Sequence, residues 1–245
     1  MSLYAIGDVH GRATDAMCAI EPNAPSLTPS DTIVMLGDVG IAYGDHVHGD
    51  LRRYLAKLPC TVLVMRGNHD VRYWRDMQLG ILTHGRAELV DWSGSVFMRD
   101  SRYPNTLYVP DGGDLVTIEG HPCLFIPGAW SIDGEYRREM GYPWEPEEQL
   151  TAQEMAQLLD LASTHPVEQV FSHTCPESWK ADLADLLFPP DLAPPIDDTM
   201  EVWMDEVLEA VDDTVSDWWF GHFHDDRDVA RGLGHLLYRH VRKVL

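Results

Sequence analysis

Five short blocks of this sequence concentrate the residue types that hold divalent cations and move protons. They are Asp8-Val9-His10, Gly37-Asp38, Gly67-Asn68-His69-Asp70, Ser172-His173 and Gly221-His222-Phe223-His224. Five of the twelve histidines fall in them, so imidazole, carboxylate and amide oxygen are the donors on offer. Such a mixed set suits borderline divalent ions such as manganese, iron or zinc better than a thiolate site does. Two ions about 4 Å apart can clamp the attacking and leaving oxygens of an in-line displacement. Taken alone, a loop His or Asp is more often a capped turn or a solvated side chain than a ligand. Only the five blocks together, in this order, carry weight.

The segments that must position these residues read as strands. Leu3–Ile6, 32–36 and 61–65 are short apolar or β-branched runs bounded by Gly, Asp and Asn, the pattern of buried parallel strands. Helical spacing fills the gaps, with Ala13, Ala16, Met17 and Ile20 after the first run and Leu51, Tyr54, Leu55 and Leu58 after the second. This β-α-β-α-β order predicts a right-handed parallel sheet with helices on its faces. In open α/β sheets the ligand crevice lies beyond the carboxyl ends of the strands, so the first three blocks should converge. Strands at 170–172 and 217–220 deliver the other two in the same manner.

From 84 to 144 the pattern shifts to short strands broken by Gly and Pro, including 114–119 and 122–126, which predicts a second, more antiparallel sheet. A helix then starts at a capping box of Thr151 and Glu154, with Leu150 and Met155 placed as a hydrophobic staple. Its apolar face is Met155, Leu158, Leu159 and Ala162. A proline-rich loop at 188–195 precedes an amphipathic helix whose stripe of Met200, Trp203, Met204, Val207, Leu208 and Val211 reads as core packing. Short strands near Val229 and Leu236 close a single domain spanning 1–245.

The bulk numbers narrow the classes. At 245 residues the chain accommodates one large α/β domain with a sizeable core. No apolar run reaches the length of a membrane span. The opening Met-Ser-Leu-Tyr-Ala-Ile-Gly-Asp offers neither a basic region nor a small-residue cleavage site, and Cys18, Cys60, Cys123 and Cys175 form no C-x-x-C pair. A cytoplasmic protein with reduced thiols is expected. The formal charge of -22 repels polyanions and argues against long nucleic acid as a partner. Residues 145–217 hold nineteen acids against the single base Lys180, which reads as a solvated helical face.

The ordered set D-x-H, G-D, G-N-H-D, H, G-H-x-H resembles the calcineurin-like metallophosphoesterase superfamily over Asp8 through His224. The resemblance implies an α/β fold, a four-layer α-β-β-α sandwich of two mixed sheets flanked by helices. It also implies a dinuclear centre holding two divalent ions, manganese first, with iron or zinc as substitutes. Asp8, His10 and His224 would hold one ion, Asn68, His173 and His222 the other, and Asp38 would bridge them. The nucleophile would be a water or hydroxide between the metals. His69 would contact the phosphoryl group and protonate or stabilise the leaving oxygen, and Asp70 would orient His69. Arg66, just before the third block, is placed to offer a bidentate fork to phosphoryl oxygens, the alternative being a surface arginine. Gly7, Gly37, Gly67 and Gly221 read as serving backbone conformation, and His46, His48 and His84 as loop residues.

The expected activity is hydrolysis of phosphomonoesters or small phosphodiesters, with a nucleotide, another phosphomonoester or a phosphoprotein as partner. The glycine after His10 and the Arg66-Gly67-Asn68-His69 string look like the phosphoprotein phosphatase and diadenosine tetraphosphate hydrolase branch. That branch has an arginine-glycine pair after its second block, where this chain runs Val39-Gly40-Ile41-Ala42. The segment from Gly128 to Asp133 followed by Arg137 instead resembles bacterial and phage-type phosphoesterases. Trp130, Trp144, Arg137 and Arg138 are expected to border the crevice, as base-stacking and phosphate-binding groups or, for the tryptophans, as packing between sheet and helix. A scaffold of the same fold without turnover is the rival from another class. Loss of a ligand or of His69 is its expected sign, and neither loss is present.

Overall fold

The computed structural model describes residues 2–24, 26–42, 48–142, 144–187 and 196–245. The expected loop at 188–195, His46 and the side chain of His48 lie outside the described residues. Strands β1 (Leu3–Ile6), β2 (Thr32–Met35) and β3 (Thr61–Val64) are apolar on both faces, and period-two alternation sends their side chains into two different cores. Ile6, Ile33, Met35, Val62 and Val64 pack against helices α1 (Ala13–Asn23), α2 (His48–Leu55) and α3 (Tyr73–Gln78). Leu3, Ala5, Val34 and Leu63 point the other way and meet Cys123, Phe125, Phe171 and Trp219 from a second sheet.

The first sheet continues through β4 (Ala87–Trp92), β5 (Ser95–Asp100) and β6 (Thr106–Tyr108). A short C-terminal strand, β13 (Arg242–Lys243), closes its other edge against β1, and the order is β13-β1-β2-β3-β6-β5-β4. The second sheet contains β7 (Asp114–Ile118), β8 (His121–Ile126), β9 (Gln169–Ser172), β10 (Asp217–Phe220), β11 (Arg227–Val229) and β12 (Gly234–Leu236). Its order is β11-β12-β10-β9-β8-β7. Its outer face, Leu124, Ile126, Val170, Trp218 and Phe220, packs on α5 (Ala152–Thr164) and α6 (Thr199–Val211). The result is the expected α-β-β-α sandwich of two mixed sheets, with the helix α4 (Gly134–Met140) between β8 and α5 in sequence.

The division of strands differs from the expectation for 84–144. Only the β7–β8 hairpin enters the second sheet, whereas β6 runs parallel to β3, with Val62 opposite Thr106, and carries β5 and β4 onto the first. The centre of the second sheet is parallel, through β8, β9, β10 and β12. Alternating hydrophobicity marks a strand but not its neighbour, because pairing is decided by which backbone edge is left open. The strip of α6 packs as expected, with Met200, Trp203, Met204, Val207 and Val211 buried.

Glu154 couples the helical layer on the second sheet to the loop that follows the third block. It completes the capping box with Thr151, whose hydroxyl accepts from the Glu154 N–H at 3.2 Å. The same carboxylate receives Arg72 at 2.7 and 3.0 Å. Burial raises its pKa, but Arg72 and the Thr151 N–H outweigh this and hold it below 4.5. Stabilisation from this group is therefore complete above about pH 4.5 and is lost as pH falls through the lowered value. Glu154→Gln should lower unfolding stability by about 1–2 kcal/mol at pH 7 in urea denaturation, and the deficit should shrink toward pH 3. A deficit that does not change with pH would contradict this role for the ionised pair.

Candidate metal centre

All five blocks sit just beyond the carboxyl ends of β1, β2, β3, β9 and β10, and the parallel strand order brings them together. Four of their side chains are carried on left-handed backbone: His10 (φ 46°), Asp38 (47°), His222 (71°) and His224 (54°). L-residues rarely adopt this conformation, and it recurs where a chain must aim a side chain sharply. Glycine permits the remaining closeness. A methyl group on Gly67 would overlap Asp38 Oδ1 and His173 Nε2, and one on Gly221 would overlap Asp8 Oδ1.

The side chains form two adjoining groups. Asp8, His10 and His224 converge in one, with His10 Nε2 2.9 Å from His224 Nε2 and Asp8 Oδ2 3.2 Å from the latter. Asn68, His173 and His222 converge in the other, where Asn68 Oδ1 lies 2.8 Å from His173 Nε2 and 3.1 Å from His222 Nδ1. Asp38 stands between them, 4.0 Å from His10 Nδ1 through Oδ2 and 3.5 Å from His173 Nε2 through Oδ1.

These residues fit a pair of cations on several counts. Asp8 is 3% exposed, and its Oδ2 is buried with no hydrogen-bond partner. An ionised oxygen left so is costly unless a cation takes it. Burial pushes the Asp8 pKa up, but the adjacent His224, His173 and His10 outweigh it and hold the carboxyl at about 2. Asp38 is driven well above the ordinary carboxylate range by burial and by the charges of Asp8 and Asp70. Burial lowers the pKa of His10, His173 and His222, which keeps them neutral, the form that ligates metal. His173 Nδ1 donates to the Leu36 carbonyl at 2.8 Å, so its Nε2 carries the lone pair that faces Asp38 and Asn68.

A family model described as calcineurin-like phosphoesterase matches residues 1–226. The chain belongs to this family. The family implies a dinuclear divalent metal centre, and the two groups above are candidate ligand clusters for it. Among solved structures, the fold is similar to that of phosphopantetheinyl hydrolase from Mycobacterium tuberculosis. The two share 16% identity and a TM-score of 0.51 over 100% of this chain and 95% of that one. A protein of unknown function from Aquifex aeolicus, AQ665, aligns over 71% of this chain and 80% of its own, with 13% identity and a TM-score of 0.36. No curated protein matches the sequence. Among the described residues no helix is long and apolar enough to cross a membrane.

Family membership does not place every expected residue at the centre. Arg66 is 2% exposed and donates to the carbonyls of Glu148 at 2.5 Å, Asp111 at 3.1 Å and Gln149 at 3.4 Å. Its guanidinium is committed to the β6–β7 and β8–α5 connections, so the fork to phosphoryl oxygens is not available. Asp70 does not orient His69 either. Its carboxylate accepts from the N–H groups of Val39 at 3.0 Å, Gly40 at 2.8 Å and Gly67 at 3.0 Å, and from the Tyr73 hydroxyl at 2.7 Å. It pins the second block to the third. The group that holds His69 is Asp38, whose Oδ1 accepts the His69 N–H at 2.9 Å. His69 Nε2 lies 3.8 Å from Asp38 Oδ2, and burial and the Arg137 charge bring its pKa down to about 4.

Beyond the centre opens a cleft of about 700 Å³, floored by Asp38, Asn68, His69, His222 and His224. Asp133, the partner of Arg137 at 2.6 Å, lines it. Trp144 does not. Its indole N–H donates to Glu148 Oε2 at 2.9 Å and its ring lies on Gly134, so packing is the role the geometry supports. Arg138 is exposed and reaches Glu135 at 3.4 Å. His84 occupies a turn after α3, as expected.

Sequence reasoning assigned no role to the residues that support the donors. Ser131 Oγ accepts from Asn68 Nδ2 at 2.7 Å and so turns the amide oxygen inward, while the Ser131 N–H donates to Glu148 Oε1 at 2.7 Å. Tyr238 stacks on His224, with ring centroids 4.8 Å apart and planes 20° from parallel. Neither stands near a block in sequence: Ser131 falls inside the Gly128 to Asp133 segment, which gives the serine no role of its own, and no local signal marks Tyr238. Partners of this kind typically contribute about 10- to 100-fold to metal affinity. Ser131→Ala should weaken manganese binding by that order in a calorimetric titration, and an unchanged affinity would remove Ser131 from the centre. Arg66→Ala removes the donor to the carbonyls of Glu148 and Asp111, while Gln149 keeps Arg72, and should cost on the order of 3 kcal/mol in chemical denaturation. If the variant instead unfolds like the parent but loses substrate affinity, Arg66 belongs to the site after all.

Proposed function

We propose that this chain hydrolyses small phosphomonoesters or phosphodiesters with two divalent cations, manganese being the native pair and iron or zinc substitutes. Asp8, His10 and His224 hold one ion, Asn68, His173 and His222 the other, and Asp38 both. The observation that carries this reading is the convergence of those seven side chains into two adjoining groups, with a buried Asp8 oxygen that makes no hydrogen bond and faces the His224 imidazole at 3.2 Å. Cations bound there supply charge neutralisation of the phosphoryl group and an acidified water.

The remaining work falls to the chain itself. Hydrolysis breaks the P–O ester bond, attaches a water oxygen to phosphorus and returns a proton to the leaving alkoxide. His69 lines the cleft with its backbone held by Asp38, and its imidazole N–H stabilises the leaving oxygen. Membership of the dinucleoside polyphosphate branch draws no support from Arg66, which is turned into the core. Long nucleic acid is disfavoured by a net charge of -22. The cysteines are free, and three of them are buried, which fits a reducing, cytoplasmic setting.

Hydrolysis of p-nitrophenyl phosphate and of its bis-ester is the direct test, run with manganese and with excess chelator. A phosphopantetheine ester belongs in the same panel, given the substrate named in the Mycobacterium tuberculosis hydrolase. Activity should depend on metal, and His69→Asn should lower kcat by about 10²- to 10⁴-fold while manganese still binds. Metal-loaded protein that leaves every ester intact would favour the silent scaffold.

A further inference from the structure

The cleft over the metal centre is larger and greasier than a phosphoryl group requires. At about 700 Å³ it matches sites that enclose a whole organic molecule. Above its polar floor the walls are Ile132, Leu186, Leu187, Ile196 and Phe223. Ile132 and Ile196 are 49% and 52% exposed, so among the described residues apolar surface stands open beside the cluster of candidate ligands. Apolar side chains in that position are covered when something carbon-rich enters.

The charged groups of the same walls point to what the occupant lacks. Lys180 lies 2.5 Å from Glu177, and the wall residue Asp133 is paired with Arg137 from outside the lining. Asp198 adds a third carboxylate to the lining. Among the described residues of these walls the cation is Lys180, which already faces an acid, and Asp133, Glu177 and Asp198 outnumber it. A second phosphate or carboxylate on the substrate would meet this excess at close range.

We infer that this cleft takes the alcohol half of the substrate, and that this alcohol is carbon-rich and carries no second anionic group. The inference rests on the phosphoester reading above and narrows it, setting nucleoside polyphosphates and acidic phosphopeptides aside in favour of esters of neutral or cationic alcohols with an apolar portion.

The test uses n-alkylphosphonates from methyl to hexyl, titrated calorimetrically into the manganese-loaded protein, together with hexane-diphosphonate, which has the same length and a second anionic end. Phosphonates have no ester bond to cleave, so the readout does not need turnover. Affinity should rise about twofold per methylene, below the roughly fourfold of full burial because the walls are open to water. The diphosphonate should bind about tenfold more weakly than hexylphosphonate. Ile132→Ser and Ile196→Ser, at half-exposed positions where the core is not disturbed, should flatten the series. No dependence on chain length, no binding of any phosphonate, or tighter binding of the diphosphonate would overturn the inference. A flat series alongside hydrolysis of p-nitrophenyl phosphate overturns it alone. A graded series without hydrolysis supports the cleft assignment and counts against the hydrolase reading.

Discussion

Two carboxylates, Asp8 and Asp38, are buried within reach of the same imidazoles, and this constraint governs the rest of the molecule. Like charges in a low-dielectric setting repel strongly, so one is held low and the other is driven high. The surrounding groups relieve this only in part. Burial keeps His10, His173 and His222 neutral, so they bring lone pairs rather than positive charge. A centre made this way is incomplete as a protein-only object and complete with cations.

Holding such an arrangement requires backbone that is awkward on its own. Left-handed conformations at His10, Asp38, His222 and His224 each cost on the order of 1 kcal/mol. Two acids that are not ligands, the buried Asp70 and the half-buried Asp226, offset this by tying loops together. Asp70 gathers amides from both the second and third blocks. Asp226 accepts from the N–H groups of Tyr238, Arg239 and His240, which sets Tyr238 against His224. Acid residues thus serve three purposes here: candidate donors to metal, staples for backbone amides and charge on the surface.

The acidic stretch from 145 to 217 mixes these purposes. Many of its carboxylates are exposed, as a solvated face requires, but Glu145, Glu148 and Glu201 are buried. Glu145 receives Arg75, Glu148 receives Ser131 and Trp144, and Glu201 receives Thr174. Composition counts charges without telling a solvated carboxylate from one that completes a hydrogen-bond network, since both are the same residue type.

The ligand blocks, the strands before them, the capping box at Thr151 and the apolar stripe of α6 were legible because each is a local pattern. Spacing of two or 3.6 residues, and a few donor types in a row, are properties of the chain before it folds. The sequence by itself therefore determined the family, the layered α/β plan and the seven candidate donors. Tertiary structure alone decided which sheet received β4 to β6, that Arg66 and Asp70 brace the scaffold rather than meet substrate, and that Ser131, Glu148 and Tyr238 stand behind the donors. It also decided the apolar walls of the cleft. Those contacts join residues far apart in the chain, 63 positions in the case of Asn68 and Ser131. A side chain's direction at such a distance is set by packing and by competition for buried hydrogen bonds, neither of which has a local signature.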